Sequence, residues 1–581
     1  MTKIFQNNIG LVLILLSFHF SFAQKKEENI GTEVVNVVKP YTPTISDAFK
    51  VKEIPSLEDA DNSKKEYVKY NFFSFPVAST FVPSKGRAAN VDKSPAEKLY
   101  KNFANLGLGN YTTLNAELFV TENISDHEYV GGMFRHLSSQ GGIKGVPLKN
   151  DFYTTSVDLT YGNQLQNLTW ISDFGYQNQI YNWYGIPENF TQTTIDRINP
   201  KHTFNNFYIG TNLSLTDSFF KDASFKYNRF WDDNNSVENR FFMKPSFEIS
   251  LFNQKIKTNF IVDYLGGNFE NNFSGTNSIQ YGFTNFGVHP SVVIDKNGLD
   301  LNIGAAVFYS ADIKNNSSKI FVYPQVNASL KLVGDFMIFY SGVEGSLDQN
   351  SYRDFSNENP FVSPTLAIAP TDKQFDLFAG LKGKLSNQIS YTLRGSIQNE
   401  KNKPLFVSNQ FNMFATNSES YQFGNSFDVV YDDIKTMNFF GELKADYSKN
   451  VSLGLNASYS RFFTTNQEEA WNLPTLKLGA SMNVNITKKW FAGANIFYVG
   501  ERKDLVYIQS MITIFPPAYY PETTMIKGYF DANLNIGYNH SDRLTGFLKF
   551  NNIANQSYQK WINYPVQGLQ VLLGASYKFD F

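Results

Sequence analysis

The chain has 581 residues, 51 Lys and Arg against 53 Asp and Glu, and a formal net charge of -2, so it lacks the basic surplus that a nucleic-acid partner demands. It contains no cysteine, which excludes disulfide scaffolds, zinc-thiolate sites, iron-sulfur clusters and cysteine nucleophiles. Aromatic residues make up 16% of the chain while mean hydropathy is -0.31, so the apolar residues are spread thinly and regularly instead of being gathered in runs.

The N-terminus reads "MTKIFQNNIGLVLILLSFHFSFAQ", with Lys3 ahead of an apolar run from Ile9 and Ser21-Phe22-Ala23 as a small-x-small cleavage pattern. These are the three parts of a secretory signal peptide, here residues 1–23. The run is too short for a spanning helix, which needs about 20 apolar residues. Residues 24–100 are mixed in charge and rich in Lys, Glu and Pro, without sustained periodicity. They predict an extended N-terminal periplasmic segment that packs onto something else. Within it, Glu33, Val34, Val35, Asn36, Val37 and Val38 form a short, mostly β-branched stretch.

From residue 101 to 581 period-2 segments succeed one another. In "LKLGASMNVNI" Leu476, Leu478, Ala480, Met482, Val484 and Ile486 alternate with polar or small residues; "WFAGANIFY" (490–498) and "IKGYFDANLNIGY" (526–538) repeat the pattern. Such runs are long enough to cross a bilayer as tilted strands, which takes about 9–11 residues. Short connectors at 163–167, 218–223, 252–255, 295–298, 448–450, 487–489 and 541–543 alternate with long ones near 181–203, 346–372, 400–424 and 503–525. Strict alternation of this kind, with wet polar faces, predicts an all-β fold: a transmembrane antiparallel β-barrel of about 22 strands, with short periplasmic turns and long outer loops. A soluble array of β-sandwiches is the competing fold. The last strand, "QVLLGASYKFDF", ends on the aromatic Phe581, placing Val571, Leu573, Ala575, Tyr577 and Phe579 on one face and Gly574, Ser576, Lys578 and Asp580 on the other.

Few residues point to chemistry. His127, His136, His202, His289 and His540 show no metal-ligand spacing. The carboxylates Asp232 and Asp233 of "WDDNN" read as calcium ligands or as a solvated acidic outer loop. No nucleophile elbow, P-loop or paired-carboxylate pattern is present, so neither an enzyme nor a cofactor is expected. Two connectors are unusually aromatic: Trp183, Tyr184 and Phe190 in one, Phe515, Tyr519 and Tyr520 in the other. Exposed apolar surface of this kind marks ligand or partner contact, although the second connector also reads as an upward extension of its flanking strands.

The C-terminal third carries a family resemblance. "GFLKFNNIANQSYQ", with Asn552, Ile553, Asn555 and Tyr558, and "WFAGANIFYVGERKD", with Tyr498, Gly500 and Arg502, resemble the closing barrel strands of TonB-dependent receptors. The resemblance covers about residues 430–581; 101–430 matches by periodicity and loop layout alone. It implies a cell outer-membrane protein of a Gram-negative bacterium, and the Asn- and aromatic-rich strands with the "FAQ" cleavage site resemble Bacteroidetes proteins. It further implies outer-membrane lipid as surroundings, nutrient uptake as function, and Glu33–Val38 as a TonB box that adds a strand to an energy-coupling protein. Gly574, Tyr577, Phe579 and Phe581 resemble the terminal signal read by the outer-membrane insertion machinery. The chain departs from the family before its first strand, where about 60 residues leave room for only a reduced plug. A non-transporting barrel subunit in a larger complex with other outer-membrane proteins or lipoproteins, serving protein export or insertion, is the second expectation.

Overall fold

A computed structural model describes residues 100–581, apart from 188–189, 252–253, 412–418 and 510–518. The signal peptide, the periplasmic segment and Glu33–Val38 lie outside the described residues, as does Phe515.

Twenty-two strands form one antiparallel sheet. Each strand pairs with the next in the sheet, and the last, Gln570–Phe579, pairs with the first, Asn102–Gly109, in a register from Asn102 opposite Phe579 to Gly109 opposite Leu572. The sheet is thus a closed barrel with no free edge, the condition for satisfying every backbone group in a hydrocarbon surrounding. The Lys101 amide donates to the Asp580 carboxylate at 2.9 Å beside this seam.

Alternation decides which side chains face out. Along Lys201–Leu215, His202, Phe204, Asn206 and Gly210 are buried inside while Ile209 is exposed outside. In the closing strand Leu573 and Tyr577 are exposed and Ser576 is buried. Several inward aromatic rings lie across a glycine of the neighbouring strand. A Cβ on Gly175 would sit 2.3 Å from the ring of Tyr208, and one on Gly267 would meet the Tyr281 hydroxyl at 2.2 Å. Only a residue without a side chain admits the ring there, which pins the register of the pair.

The two ends of the barrel differ. At the end holding Asn102 and Phe579, every connector between strands has two to four residues. At the other, connectors run from three residues (110–112) to 29 (500–528). The expected strict long-short alternation therefore fails at 110–112, 233–236 and 313–316. Left-handed backbone at Tyr111, Thr112, Asn235 and Asn316 closes these as tight turns.

Candidate functional site at the loop end

The strands Ile389–Ser408 and Phe427–Ser448 have 20 and 22 residues, about twice what a bilayer crossing takes. Their surplus stands above the membrane and gives the mouth of the barrel an apolar inner wall, including Phe406, Phe427 and Val429. Against it packs the connector 349–370, which begins with a short helix, Tyr352–Glu358.

Two buried carboxylates hold that helix to the opposite wall. Glu238 accepts the Tyr352 amide at 2.7 Å, the Arg353 amide at 3.2 Å and the Tyr281 hydroxyl at 2.8 Å. Asp232 accepts the Tyr352 hydroxyl at 2.7 Å and the Ser236 amide at 2.8 Å. A carboxylate at a helix N-terminus meets both its free N–H groups and its positive end. Arg240 clamps Asp263 through two hydrogen bonds of 2.9 and 2.7 Å and reaches Asp354 of the helix at 3.2 Å. Tyr352 is fully buried among Phe204, Phe230 and Phe269, and burial raises its hydroxyl pKa well above the ordinary value.

From there the connector crosses to the far wall. Its Val362 bridges Phe427, and Phe361 stacks on Tyr564 with centroids 3.7 Å apart. Connectors 183–200, 409–426 and 552–569 converge on the same point. Trp183 donates to the Phe361 carbonyl at 3.2 Å, Tyr184 to that of Pro565 at 2.9 Å, and Tyr564 to that of Asn425. Asn425 in turn donates to the Trp183 carbonyl at 2.8 Å.

The residues singled out from sequence fall as follows. Trp183 is 1% exposed, stacked on His202 at 4.2 Å, and Tyr184 is half-buried against Tyr564. Phe190 packs on Phe411 and Phe423. Tyr520 is 52% exposed on a hairpin, Arg502–Gln509 with Tyr519–Ile526, whose pairing of Arg502 with Ile526 continues the Val499–Tyr529 register of the two barrel strands beneath it, past a break at 500–501 and 527–528. This stretch prolongs its flanking strands above the barrel, as the second reading of the connector expects, while forming a ladder of its own. The reading of Asp232 as a solvated outer-loop acid is corrected. It closes its strand in the interior, with its oxygens engaged as above, and only Asp233, 2.8 Å from the His202 Nδ1, reaches solvent. Among the described residues no group of three or more His, Asp or Glu side chains is arranged to hold a metal ion.

The residues that carry the family resemblance come together as a loop anchor. Arg502 is buried and donates to the carbonyls of Lys560 and Gln559 at 2.6 and 2.8 Å. Tyr558 stacks flat on Tyr529 at 3.8 Å and donates to Asp531 at 2.7 Å. Asn552 and Asn555 adopt left-handed backbone and tie 552–569 into a compact loop, through the carbonyls of Gln556 and Gln567 and the amide of Leu569. Gly500 and Tyr498 end the preceding strand, Tyr498 against Phe530 on the outside. Beside this anchor, Asp504 is fully buried, accepting from Ser408 and Leu505, and burial pushes its carboxyl up to about 6. Burial also lowers the Lys560 ammonium. Glu238, Arg240, Tyr352 and Phe361 were not singled out by sequence reasoning. The one available signal was that Glu238 and Arg240 are charged residues on the apolar-alternating strand Val237–Leu251.

A closed barrel of 22 strands with short turns at one end and long interlocked loops at the other defines an integral outer-membrane β-barrel. Solved structures share this fold. The chain aligns with the FrpB iron transporter of Neisseria meningitidis at TM-score 0.63 and 12% identity, covering 83% of this chain and 82% of that one. With the ferripyoverdine receptor of the outer membrane of Pseudomonas aeruginosa the values are 0.61 and 13%, covering 84% and 72%. With the copper transporter OprC they are 0.58 and 12%, covering 82% and 80%. The resemblance to TonB-dependent receptors therefore holds at the level of the barrel fold. No family model matches the sequence, and no curated protein matches it.

Proposed function

We propose that this protein is an uptake barrel that admits a nutrient across the outer membrane. The observation that carries the reading is the closed 22-stranded barrel, which aligns over more than four-fifths of this chain with the FrpB iron transporter, a ferripyoverdine receptor and the copper transporter OprC. In this reading the mouth captures the solute, with Tyr520 exposed on its hairpin while the packed rings of Trp183, Tyr184 and Phe190 hold the connectors in place, and Glu33–Val38 engages a TonB-type energy-coupling protein by strand addition. Gly574, Tyr577, Phe579 and Phe581 serve as the insertion signal, consistent with a last strand whose Tyr577 and Phe581 are exposed. Deleting residues 33–38 should abolish solute uptake by cells while the barrel still inserts; unchanged uptake refutes the energised reading.

One observation favours the second reading, a non-transporting subunit of a larger outer-membrane complex. The connectors lock across the mouth around Phe361 and Tyr564 with their polar groups paired. Purification in mild detergent should then recover partner proteins in stoichiometric amount, and a lone monomer counts against it.

A further inference from the structure

On the outer surface, the strands from Ile389–Ser408 to Trp490–Val499 enclose an apolar groove of about 760 Å³. Its floor is made of small residues, with Gly441 opposite Ala457 and Ala480 one pair away. Leu393, Leu455 and Ile496 rise around them, each about half exposed. Lipid-facing barrel surfaces are normally filled out by large side chains, so a recess at this depth in the bilayer is shaped for a hydrocarbon chain.

A second feature stands above it on the same face. Counting outward positions of Phe427–Ser448 from Gly441 toward the loops gives Phe439, Met437 and Lys435; the neighbouring strand gives Ala457, Tyr459 and Arg461. Met437 lies opposite Arg461 and Lys435 opposite Phe463, so the two cations are diagonal neighbours. Both are exposed. Among the described residues neither has an ion-pair partner, and Arg461 lies 5.0 Å over the ring of Phe463. Asp433, the next outward position on the same strand, accepts the Asn402 amide at 3.1 Å and keeps its single charge, against two on the cations. Gly441 and Lys435 are six positions apart, about 20 Å along the strand at 3.4 Å per residue and about 16 Å along the membrane normal at a tilt of about 40°, which sets the cations at the outer headgroup level when the groove lies in the hydrocarbon.

We propose that this face binds an anionic lipid of the outer leaflet, with its phosphate held by Lys435 and Arg461 and one acyl chain lying in the groove over Gly441 and Ala457. Charge complementarity selects the headgroup, since basic residues at a membrane surface attract anionic lipids; the recess selects the chain. The inference is independent of whether the barrel transports.

The test is native mass spectrometry of the full-length barrel released from detergent, with phosphatidylglycerol or phosphatidylcholine of identical chains added. Heat-modifiable gel migration confirms the fold of each variant. The wild type should retain phosphatidylglycerol about tenfold better than phosphatidylcholine. Lys435→Gln with Arg461→Gln should bring the two lipids level, and Ala457→Phe, or Ala457→Leu if the larger ring prevents folding, should weaken both. Equal retention of the two lipids by the wild type overturns the proposal, as does undiminished phosphatidylglycerol binding by the charge variant. Binding unaffected by filling the groove overturns the chain site.

Discussion

The two ends of this barrel are built from the same strands yet obey different rules. At the end holding the termini, connectors of two to four residues close each hairpin by local turn chemistry, and inward polar residues nearby, such as Asn456, Ser481 and Asn483, are exposed. At the other end, connectors up to 29 residues long bury Trp183, Tyr352 and Tyr564 almost completely, and charged groups there are pinned by partners up to 120 residues away. The difference teaches where stability resides. A short turn stands or falls with one or two residues, whereas the mouth depends on contacts among four connectors at once.

The contrast can be broken most severely at the centre of the mouth. Tyr564→Ala removes a fully buried ring that stacks on Phe361 and Tyr184, and should cost about 4 kcal/mol locally. Hydrogen exchange should show protection lost in 349–370 and 552–569 with the short turns unchanged; retained protection would show that the connectors stand independently. A smaller effect, about 2 kcal/mol, is expected for Arg502→Lys, because an ammonium cannot reproduce the forked contact to two adjacent carbonyls. Its readout is faster proteolysis within 552–569.

Acidity should act on the hairpin at the mouth. The Asp504 carboxyl is raised to about 6 by burial from an ordinary 3.8. Between those values a released hairpin loses its proton while the packed one keeps it, so packing is strongest below about 3.8 and weakens as pH rises through about 6. Intrinsic-rate-corrected exchange across Arg502–Gln509 should therefore be slower at pH 4.5 than at pH 7.5, and Asp504→Asn should flatten the profile. The smallest effect belongs to the turn end: Gly298, at φ +79 in the two-residue Asn297-Gly298 turn, should lose about 1 kcal/mol on change to Ala. Exchange should quicken in that hairpin only. A change at the mouth from the same substitution would mean the two ends are coupled.

How much of this was legible follows from the range of each interaction. Alternation along 476–486 and 490–498 assigns strand, face and membrane band, because the period of two is a property of consecutive residues. The Arg502, Asn552 and Tyr558 positions were legible as a pattern, although their meeting with Gln559, Asp531 and Tyr529 was not. Asp232 was misread for the same reason. A carboxylate in an Asp-Asp-Asn-Asn run looks solvated until Tyr352, 120 residues away, is brought against it.

Local periodicity and turn residues are written in the order of the chain, so the approximate strand number and the barrel's insertion in a membrane could be read from that order alone. The interlocked mouth, the anchor of the last loop and the basic pair above the groove join residues from separate strands and connectors. Their positions depend on barrel closure and on which loops meet over the mouth, and no short-range pattern encodes a contact between side chains that become neighbours only after the sheet has closed.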